Sequence, residues 1–413
     1  MKRVIAVSWE MPPMYGPRAS QVAATLGELA ERGWQPTVVC LDPRRGGPHW
    51  PDGDARATPD GVEVIRVPSI EESLPWRVAS RIVPIVRRFP DEKRPWARRA
   101  AEAVHAAAAA TTFAGLITFA QPWSDHLAGL QVRRRDGLPW VAHFSDPWVD
   151  SPYSNGSAWL RDAWRRMERD VVAAADAVVF VTEEAAELVM RKYPGEWRRK
   201  AAVVPHGFDP RTSPQRAGRR PGPLRIVYTG RFYLGVRTPS ALFRALANLN
   251  DRMPLADALE LICVGPHVIE YQREVAALGL TGVVRLEGRR PKRDADALAA
   301  DADVLLVVDA PSEGPSVFLP SKLVDYLAFR KPILGLTPAN GAAARVLARL
   351  DCPSVAPDDE PAIASAIASL VERSRAGALQ VSPSFDAVAA DFDVRRTTAR
   401  LDEVLTRAFS RAS

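Results

Sequence analysis

Two arginines stand six residues apart in a loop that follows a predicted strand, in the segment TGRFYLGVR (229–237). A guanidinium group presents a planar fork of donors that fits oxyanions. Arg231 and Arg237 could therefore bind a diphosphate from two sides and neutralise the charge that develops on a leaving group. The alternative is a solvated loop in an arginine-rich chain, but its position after a strand favours the functional interpretation.

A lysine and an aspartate lie at the start of a predicted helix, in the segment PSKLVDYLA (320–328). Proline followed by serine is typical of a helix start. The first N–H groups of this helix, with Ser321 and Lys322, could hold a phosphate, while Asp325 could accept hydrogen bonds from ribose hydroxyls. The alternative is an ordinary amphipathic helix with Leu323 in the core, and both interpretations can hold at once.

Two loops in the amino-terminal half also follow predicted strands. His143 and Asp146, in the segment HFSDPW, could position an acceptor hydroxyl or form hydrogen bonds to a sugar, whereas an Asp-Pro turn is the structural alternative. In PPMYGPRAS (12–20), Gly16 precedes a helix whose first N–H groups could approach a phosphate or a sugar. A turn that simply needs a glycine is the alternative there.

Short apolar runs alternate with helical patterns along the whole chain, which predicts α/β domains with mostly parallel sheets covered on both faces. The series occurs twice, so we expect two doubly wound domains, over 1–205 and 224–389. A linker over 206–223 joins them, because this segment lacks apolar periodicity, and a helical tail over 390–413 ends the chain. Ligands of such sheets bind beyond the carboxyl ends of the strands, which makes the cleft between the domains the expected site. The predicted strands are 4–8, 37–41, 61–67, 116–119, 140–144, 177–181, 202–204, 224–230, 259–264, 283–286, 304–308 and 333–336.

The composition is that of a soluble globular protein, with 47% hydrophobic and 25% charged residues in 413, and it excludes a collagen-like or wholly disordered chain. Cys40, Cys263 and Cys352 are too widely spaced to predict a disulfide framework or a zinc site. The histidines form no HxH or HxxxH pair, so no metal site is expected. Neither a secretory leader nor a spanning segment is predicted, and we expect a cytoplasmic protein.

The net charge of +6 indicates an anionic partner. Residues 76–99 carry eight basic side chains interleaved with apolar ones, and they include Trp76 and Trp96. Such a stretch could lie on the anionic inner face of the cell membrane and reach a lipid-linked acceptor. A solvated helix face is an equal alternative. No nucleic-acid-binding motif accompanies the charge, so we expect no nucleic-acid partner.

Together these segments resemble GT-B glycosyltransferases of the retaining family-4 type, also called glycosyl transferases group 1. PPMYGPRAS is similar to the PPxxGG loop of that family, and VVPHGFD (203–209) is similar to its interdomain VPNGVD. TGRFYLGVR resembles its GR…K phosphate clamp, and SKLVDYLAFRKPIL (321–334) resembles the helix that carries its second glutamate and ends in GxPVV. The order and spacing of these segments agree with the family across nearly the whole chain.

The resemblance implies a GT-B fold, in which two Rossmann-like domains face a central cleft and the carboxyl-terminal helix crosses back to the first domain. It places the acceptor in the first domain and the donor in the second. The residues that it assigns to the donor are Gly16, Gly230, Arg231, Arg237, Glu313, Ser321, Lys322 and Asp325, and those that it assigns to catalysis are Asp146, His143, Arg231 and Arg237.

The second domain departs from the family pattern at several positions. The family carries two glutamates eight residues apart, of which the second is Asp325 here and the first falls on Val317. Glu313 is close enough in sequence to take over the role of the first. Arg237 replaces the lysine of the phosphate clamp.

The first domain departs as well. Pro17 replaces the second glycine of the opening loop, and the His-Asp pair of the family appears as Ser145-Asp146, with His143 two residues earlier.

The resemblance further implies a metal-independent, hexosyl-type transfer from a nucleotide diphosphate sugar to an acceptor hydroxyl, with retention and no other cofactor. Such a transition state has oxocarbenium character. A UDP-sugar is the commoner expectation over a GDP-sugar, and the acceptor is a glycan, a lipid-linked or a small-molecule hydroxyl. A nucleotide-sugar 2-epimerase of the same fold, or a non-catalytic nucleotide-sugar-binding partner protein, are the alternative functions.

Overall fold

A computed structural model describes residues 2–14, 16–43, 57–70, 73–82, 89–151, 156–212, 222–312 and 314–410. The chain divides into two compact units. The first unit comprises Met1–Gly207 with Val394–Ser413, and the second comprises Phe208–Asp393.

The first unit is built on a parallel sheet of seven strands in its described part, in the order β3-β2-β1-β4-β5-β6-β7. β1, β2, β4, β5 and β6 form its buried centre, because their apolar runs leave almost no polar side chain to face water. The strands are β1 (Lys2–Val7), β2 (Trp34–Leu41), β3 (Glu63–Val67), β4 (Gly115–Ala120), β5 (Trp140–Phe144), β6 (Ala177–Phe180) and β7 (Ala201–Val203).

Helices connect these strands in the right order for parallel crossovers. Thr182 caps one of them: its side chain accepts a hydrogen bond from the backbone N–H of Ala185. The helices are α1 (Pro17–Glu31), α2 (Leu74–Ile82), α3 (Arg94–Ala110), α4 (Ser124–Asp136), α5 (Ala158–Ala174), α6 (Glu183–Met190) and α7 (Gly195–Arg198).

The second unit repeats the plan with a six-stranded parallel sheet in its described part, in the order β10-β9-β8-β11-β12-β13. Both faces of the sheet are covered, and each has its own apolar core. The strands are β8 (Leu224–Thr229), β9 (Leu259–Val264), β10 (Val284–Gly288), β11 (Val304–Val308), β12 (Ile333–Leu336) and β13 (Ser354–Val355). The helices are α8 (Ser240–Asn250), α9 (Gln272–Ala277), α10 (Lys292–Ala300), α11 (Ser321–Leu327), α12 (Ala342–Arg349), α13 (Glu360–Arg375) and α14 (Phe385–Ala390).

The carboxyl-terminal helix α15 (Val394–Ser410) belongs to the first unit. Its apolar side chains, among them Leu405, lie in the core formed by β1, β2 and α1. The ring of Phe409 lies across Gly115, where a Cβ would stand 2.3 Å from a ring carbon. Trp34 also donates a hydrogen bond to the carboxylate of Asp402 at 2.8 Å. Helix α15 is therefore a structural part of the first sheet's core.

The predicted strands agree with the observed ones, apart from shifts at their ends and the two-residue edge strand β13, which is too short to show a pattern. The boundaries of the predicted linker and tail need correction. Phe208 already belongs to the second unit, because its N–H donates to the carbonyl of Phe392 at 2.9 Å. The tail joins the first unit only from Val394, since Phe392 is buried in the second unit's core. Residues 213–221 of the predicted linker lie outside the described residues.

Among the described residues, no helix has the length and apolarity needed to cross a membrane.

Replacing Leu405 tests whether α15 stabilises the first unit. Leu405→Ala removes a fully buried side chain, so we expect the free energy of unfolding of the first unit to fall by about 2–5 kcal/mol. All eleven tryptophans precede residue 208, so tryptophan fluorescence in a urea titration reports this unit alone. The exposed neighbour Glu403→Ala is the control. Equal midpoints for the two variants would contradict the assignment.

Candidate functional site

A buried arginine organises the carboxyl edge of the first sheet. Arg18 lies in the first turn of α1, with 9% of its surface exposed, and its Nη2 donates to the carbonyl of Ala120 at 2.5 Å, at the end of β4. Burial lowers the pKa of Arg18, and the nearby carboxyl groups of Asp146, Glu10 and Asp125 offset part of that fall. A buried cation needs such partners, because an isolated one would lose its hydration without return.

Glu10 occupies the amino terminus of α1. Its carboxylate accepts a hydrogen bond from the backbone N–H of Ala19, and a Cβ on Gly16 would stand 2.8 Å from Glu10 Oε2. Burial raises the pKa of Glu10, and the Arg18 charge offsets part of that rise. The position predicted to receive a phosphate or sugar beside Gly16 thus holds a carboxylate of the chain itself, and Gly16 leaves the room for it.

Asp146 and His143 lie near each other in sequence but occupy different structural positions, one after β5 and the other within it. Asp146 follows β5, and its Oδ2 accepts a hydrogen bond from Gln121 Nε2 at 3.0 Å. Burial raises its pKa, against the opposing charge of Arg18. His143 lies within β5 rather than in the loop after it, and only 6% of its surface is exposed. Its ring packs against those of Phe119 and His206, with centroid distances of 5.3 and 6.0 Å.

Three histidines near Arg18, which are His143, His206 and His126, form a histidine cluster and are held neutral. Burial, and then the charge of Arg18, lower the pKa of His143 to about 3. Burial and Arg18 also lower the pKa of His206 well below its ordinary value. The pKa of His126, which shares a hydrogen bond of 2.7 Å with Thr118, is lowered by burial first and then by His143 and Arg18. Neutral imidazoles offer one donor and one acceptor each, which suits hydroxyl ligands.

Buried carboxylates fix the loops around this cluster. Asp125, at the start of α4, accepts a hydrogen bond from the N–H of Trp9 at 2.9 Å and so holds the segment after β1. Glu168, on α5, accepts from the N–H of Val149 at 3.1 Å and from the hydroxyl of Tyr193 at 2.7 Å. Both carboxylates have almost no exposed surface. The loops that carry Glu10 and Asp146 are thus tied to the scaffold by buried hydrogen bonds.

In the second unit, the two predicted arginines lie together after β8. Arg237 Nη2 donates to the carbonyl of Arg231 at 3.1 Å, and both guanidinium groups lie over the ring of Tyr233, at 4.7 and 5.9 Å from its centroid. Neither guanidinium forms an ion pair with a carboxylate among the described residues, and Arg237 Nε is buried without a hydrogen bond there. The loop thus presents two cations with unused donors.

Glycines allow close approach of the backbone at this edge. A Cβ on Gly265 would stand 2.1 Å from the carbonyl oxygen of Gly230, so the loops after β8 and β9 touch through their main chains. Gly265 also has a φ of 142°, which favours glycine. Asp309, directly after β11, is a further buried carboxyl group, whose Oδ2 accepts from Ser316 at 3.1 Å. Burial raises its pKa, while hydrogen bonds and the Arg237 charge lower it.

Lys322 and Asp325 pair with each other on α11. Lys322 Nζ donates to Asp325 Oδ2 at 3.2 Å. Burial alone would lower the pKa of Lys322. The Asp325 carboxylate outweighs this effect, so that the pKa of Lys322 lies above its ordinary value. The hydroxyl of Tyr326 accepts a hydrogen bond from the N–H of Thr229 at 2.8 Å, which ties α11, and Ser321 at its start, to the end of β8.

The structure thus brings the predicted residues into two groups. Asp146 and His143 share the field of Arg18 in the first unit, whereas Gly230, Arg231 and Arg237 form one loop of the second. Glu313 lies outside the described residues. The sequence patterns assign no role to five residues of these edges, which are Glu10, Arg18, Asp125, His206 and Asp309. Arg18 and His206 stand inside the segments PPMYGPRAS and VVPHGFD, but only the burial of Arg18 and the contact of His206 with His143 in the folded chain mark them out.

Both halves match known glycosyltransferase domains. Residues 19–207 match the glycosyl transferase 4-like domain, and residues 223–373 match the domain of the glycosyl transferases group 1. The chain belongs to the group 1 glycosyltransferases. No curated protein shows a significant sequence match to it.

Solved structures agree on the fold. The chain is similar to the sucrose-phosphate synthase of Thermosynechococcus elongatus, with 17% identity, 100% coverage of both chains and a TM-score of 0.71. It is similar to HepE of Anabaena in complex with UDP, with 17% identity, coverage of 98% and 100%, and a TM-score of 0.63. It is also similar to the α,α-trehalose 6-phosphate synthase of Burkholderia multivorans, with 15% identity, 100% coverage of both and a TM-score of 0.63. At these identities the similarity shows the GT-B fold of this glycosyltransferase.

The neutral state of His143 makes a prediction about pH. The folded form, with its pKa of about 3, binds fewer protons than the unfolded form, with a pKa of about 6.5, so stability falls as the pH decreases between these values. The variant His143→Asn removes this contribution. Between about pH 7 and about pH 5, we expect its first unit to lose about 2 kcal/mol less than the wild type loses.

Urea titrations followed by tryptophan fluorescence measure this difference. The buried carboxyl groups are present in both proteins, so their opposing contribution cancels. The same loss in variant and wild type would show that His143 is protonated alike in the folded and unfolded chains.

Proposed function

We propose that this glycosyltransferase moves a hexosyl group from a nucleotide diphosphate sugar to an acceptor hydroxyl, with retention and without a metal. The observation that carries the proposal is the loop of Arg231 and Arg237, whose guanidinium groups form no ion pair with a described carboxylate. Two fixed cations at the carboxyl end of a parallel sheet suit a diphosphate, which needs charge neutralisation as it departs.

The donor site extends from this loop along the same sheet edge. Lys322 supplies a third cation, and Asp325, which pairs with it, can accept hydrogen bonds from ribose hydroxyls. Gly230 and Gly265 pack the loops after β8 and β9 closely at this edge, because a Cβ on Gly230 would meet the ring of Tyr228 and one on Gly265 would meet the carbonyl of Gly230. We propose UDP as the nucleotide, a choice supported by the UDP complex of HepE, which is similar along its whole length.

The first unit supplies the acceptor side. His143 and Asp146 stand at its carboxyl edge as a neutral imidazole and a carboxyl group of raised pKa. A carboxyl group beside Arg18 can orient a hydroxyl, and in its ionised form it favours the positive charge that develops on a transferred sugar. We propose a role in polysaccharide, glycolipid or natural-product glycosylation in the bacterial cytoplasm.

Two alternative functions predict different products. A 2-epimerase of the same fold would convert the nucleotide sugar with no acceptor present, and a non-catalytic partner would bind it unchanged. Val317, which stands where the similar family has a glutamate, is the feature that keeps these alternatives open. Product analysis of each nucleotide sugar, with and without acceptor, separates the three.

A nucleotide screen tests the donor site. Calorimetric unfolding in UDP, GDP, ADP and dTDP should show one nucleotide that stabilises the second unit by about 2.7 kcal/mol at a hundredfold excess over its Kd. Arg231→Ala and Arg237→Ala should each abolish most of this stabilisation. Arg273→Ala, which removes an exposed arginine on α9, is the matched control. The absence of any stabilising nucleotide for the wild type would overturn the proposed donor site.

We also propose that residues 76–99 contact an anionic membrane. On α2, Val78 and Ile82 are exposed, the latter by 75%, one helical turn apart. Trp159 is 57% exposed and stacks on Phe89 at 5.6 Å, which extends the apolar surface to the start of α5. Arg94 of α3 lies over the ring of Phe89 at 4.5 Å, and Arg81 of α2 is exposed, so basic and apolar side chains occur together, as an interfacial segment requires. Residues 83–88 lie outside the described residues.

Vesicle co-sedimentation tests the membrane contact. Ile82→Ser and Trp159→Ser should each weaken binding to vesicles with about one-third phosphatidylglycerol by roughly tenfold or more, because burial of each side chain contributes to the binding energy. Ile269→Ser, which removes an exposed isoleucine from the second unit, should bind like the wild type. Equal sedimentation of all four proteins would exclude this surface.

A further inference from the structure

A second histidine lies beside His143. It stands in a segment that resembles a motif of the family, but the resemblance assigns no role to this histidine. His206 follows β7 in VVPHGFD, where the similar family has asparagine in VPNGVD. Its ring lies nearly parallel to that of His143, with centroids 6.0 Å apart and an interplanar angle of 24°. The first unit therefore places two imidazoles side by side at the carboxyl edge of β5 and β6.

These imidazoles have unused hydrogen-bonding capacity. His206 is partly exposed, and it forms no hydrogen bond or ion pair with another described side chain. Nδ1 of His143 is buried without a hydrogen bond to another described residue. A buried or half-buried polar atom without a partner costs free energy, and such atoms gather where a ligand supplies the missing bond. The unpartnered Nδ1 of His143 and the partly exposed ring of His206 beside it support a binding site.

The surrounding charges select the ligand's chemistry. Arg18 acts on both rings and opposes a positive charge on either, so each offers one donor and one acceptor. The charge of Arg18 is itself matched by the carboxyl groups of Glu10 and Asp146. A phosphate beside the two imidazoles would lie near the carboxyl groups of Glu10 and Asp146. The charge of Arg18, which could attract it, is already offset by these carboxyl groups. A hydroxyl group, which both donates and accepts, matches the pair.

We propose that His206 binds, together with His143, the hydroxyl groups of an uncharged sugar ring of the acceptor. This inference rests on the proposed function and extends it, because it assigns the class of group that the first unit recognises. The phosphate of a phosphorylated acceptor or lipid would have to lie elsewhere. His206 is accordingly a specificity-determining residue of this glycosyltransferase.

Ring NMR of the histidines tests the proposal on the full chain. The protein is labelled with ¹⁵N-histidine, and the ring signals of His206 and His143 are assigned with the variants His206→Asn and His143→Asn. The probes are methyl glucoside, methyl galactoside and methyl mannoside, each compared with inorganic phosphate. His206→Phe keeps a ring but removes both hydrogen-bonding nitrogens, and His267→Phe, in the second unit, is the matched control.

We expect at least one methyl glycoside to shift the signals of both His206 and His143, and phosphate to shift neither. His206→Phe should raise the Kd for that glycoside, followed at His143, by roughly three- to tenfold, the loss expected for one neutral hydrogen bond. His267→Phe should leave it unchanged. The proposal is overturned if phosphate alone shifts the pair, if no glycoside shifts it, or if His206→Phe binds the glycoside like the wild type.

Two measurements on the same samples separate the possible failures. The urea midpoint from tryptophan fluorescence shows whether His206→Phe has folded, and His206→Asn provides a smaller change if it has not. Nucleotide-induced stabilisation of the second unit tests the proposed function by itself. If UDP stabilises the wild type and no glycoside reaches His206, only the role of His206 is wrong. If no nucleotide binds, the proposed donor site fails independently.

Discussion

One buried guanidinium, with several carboxyl groups close enough to act on its charge, underlies the first unit's carboxyl edge. Arg18 bonds to the end of β4 and lies in the field of Glu10, Asp125 and Asp146. Burial, and then its positive charge, lower the pKa of the neighbouring imidazoles His143 and His206. Removing Arg18 would leave buried carboxyl groups without this opposite charge, which is costly in a buried setting. The charge balance at this edge therefore depends strongly on a single side chain.

The carboxyl edge of the second sheet differs from that of the first in its balance of charge. There the cations are not neutralised by described carboxylates, and the backbone is brought close by glycines after β8 and β9. Asp309 and the Lys322–Asp325 pair give local balance farther along the sheet. The two units share a topology, yet one edge is internally compensated and the other presents positive charge. This contrast fits a division between a neutral acceptor and an anionic donor.

The repeated alternation of apolar runs and helices was enough to predict both sheets and nearly every strand, because central parallel strands must be apolar on both faces. Motif resemblance located Arg231, Arg237 and the pair on α11. It could not show that Glu10 fills the amino terminus of α1 or that His206 meets His143, since both contacts join segments separated by other elements. Domain limits shifted by a few residues because Phe392 packs in the second unit's core and α15 in the first.

The carboxylate of Glu10 at the amino terminus of α1 competes with free anions for the backbone N–H groups of this helix start. A helix start of this kind attracts any small anion in the cell, and inorganic phosphate is abundant enough to occupy an open one. A tethered carboxylate has an effective concentration that free anions rarely match. This helix start is thereby closed to the anions of its surroundings, so the sugar binding that we propose for the first unit need not vary with the phosphate supply.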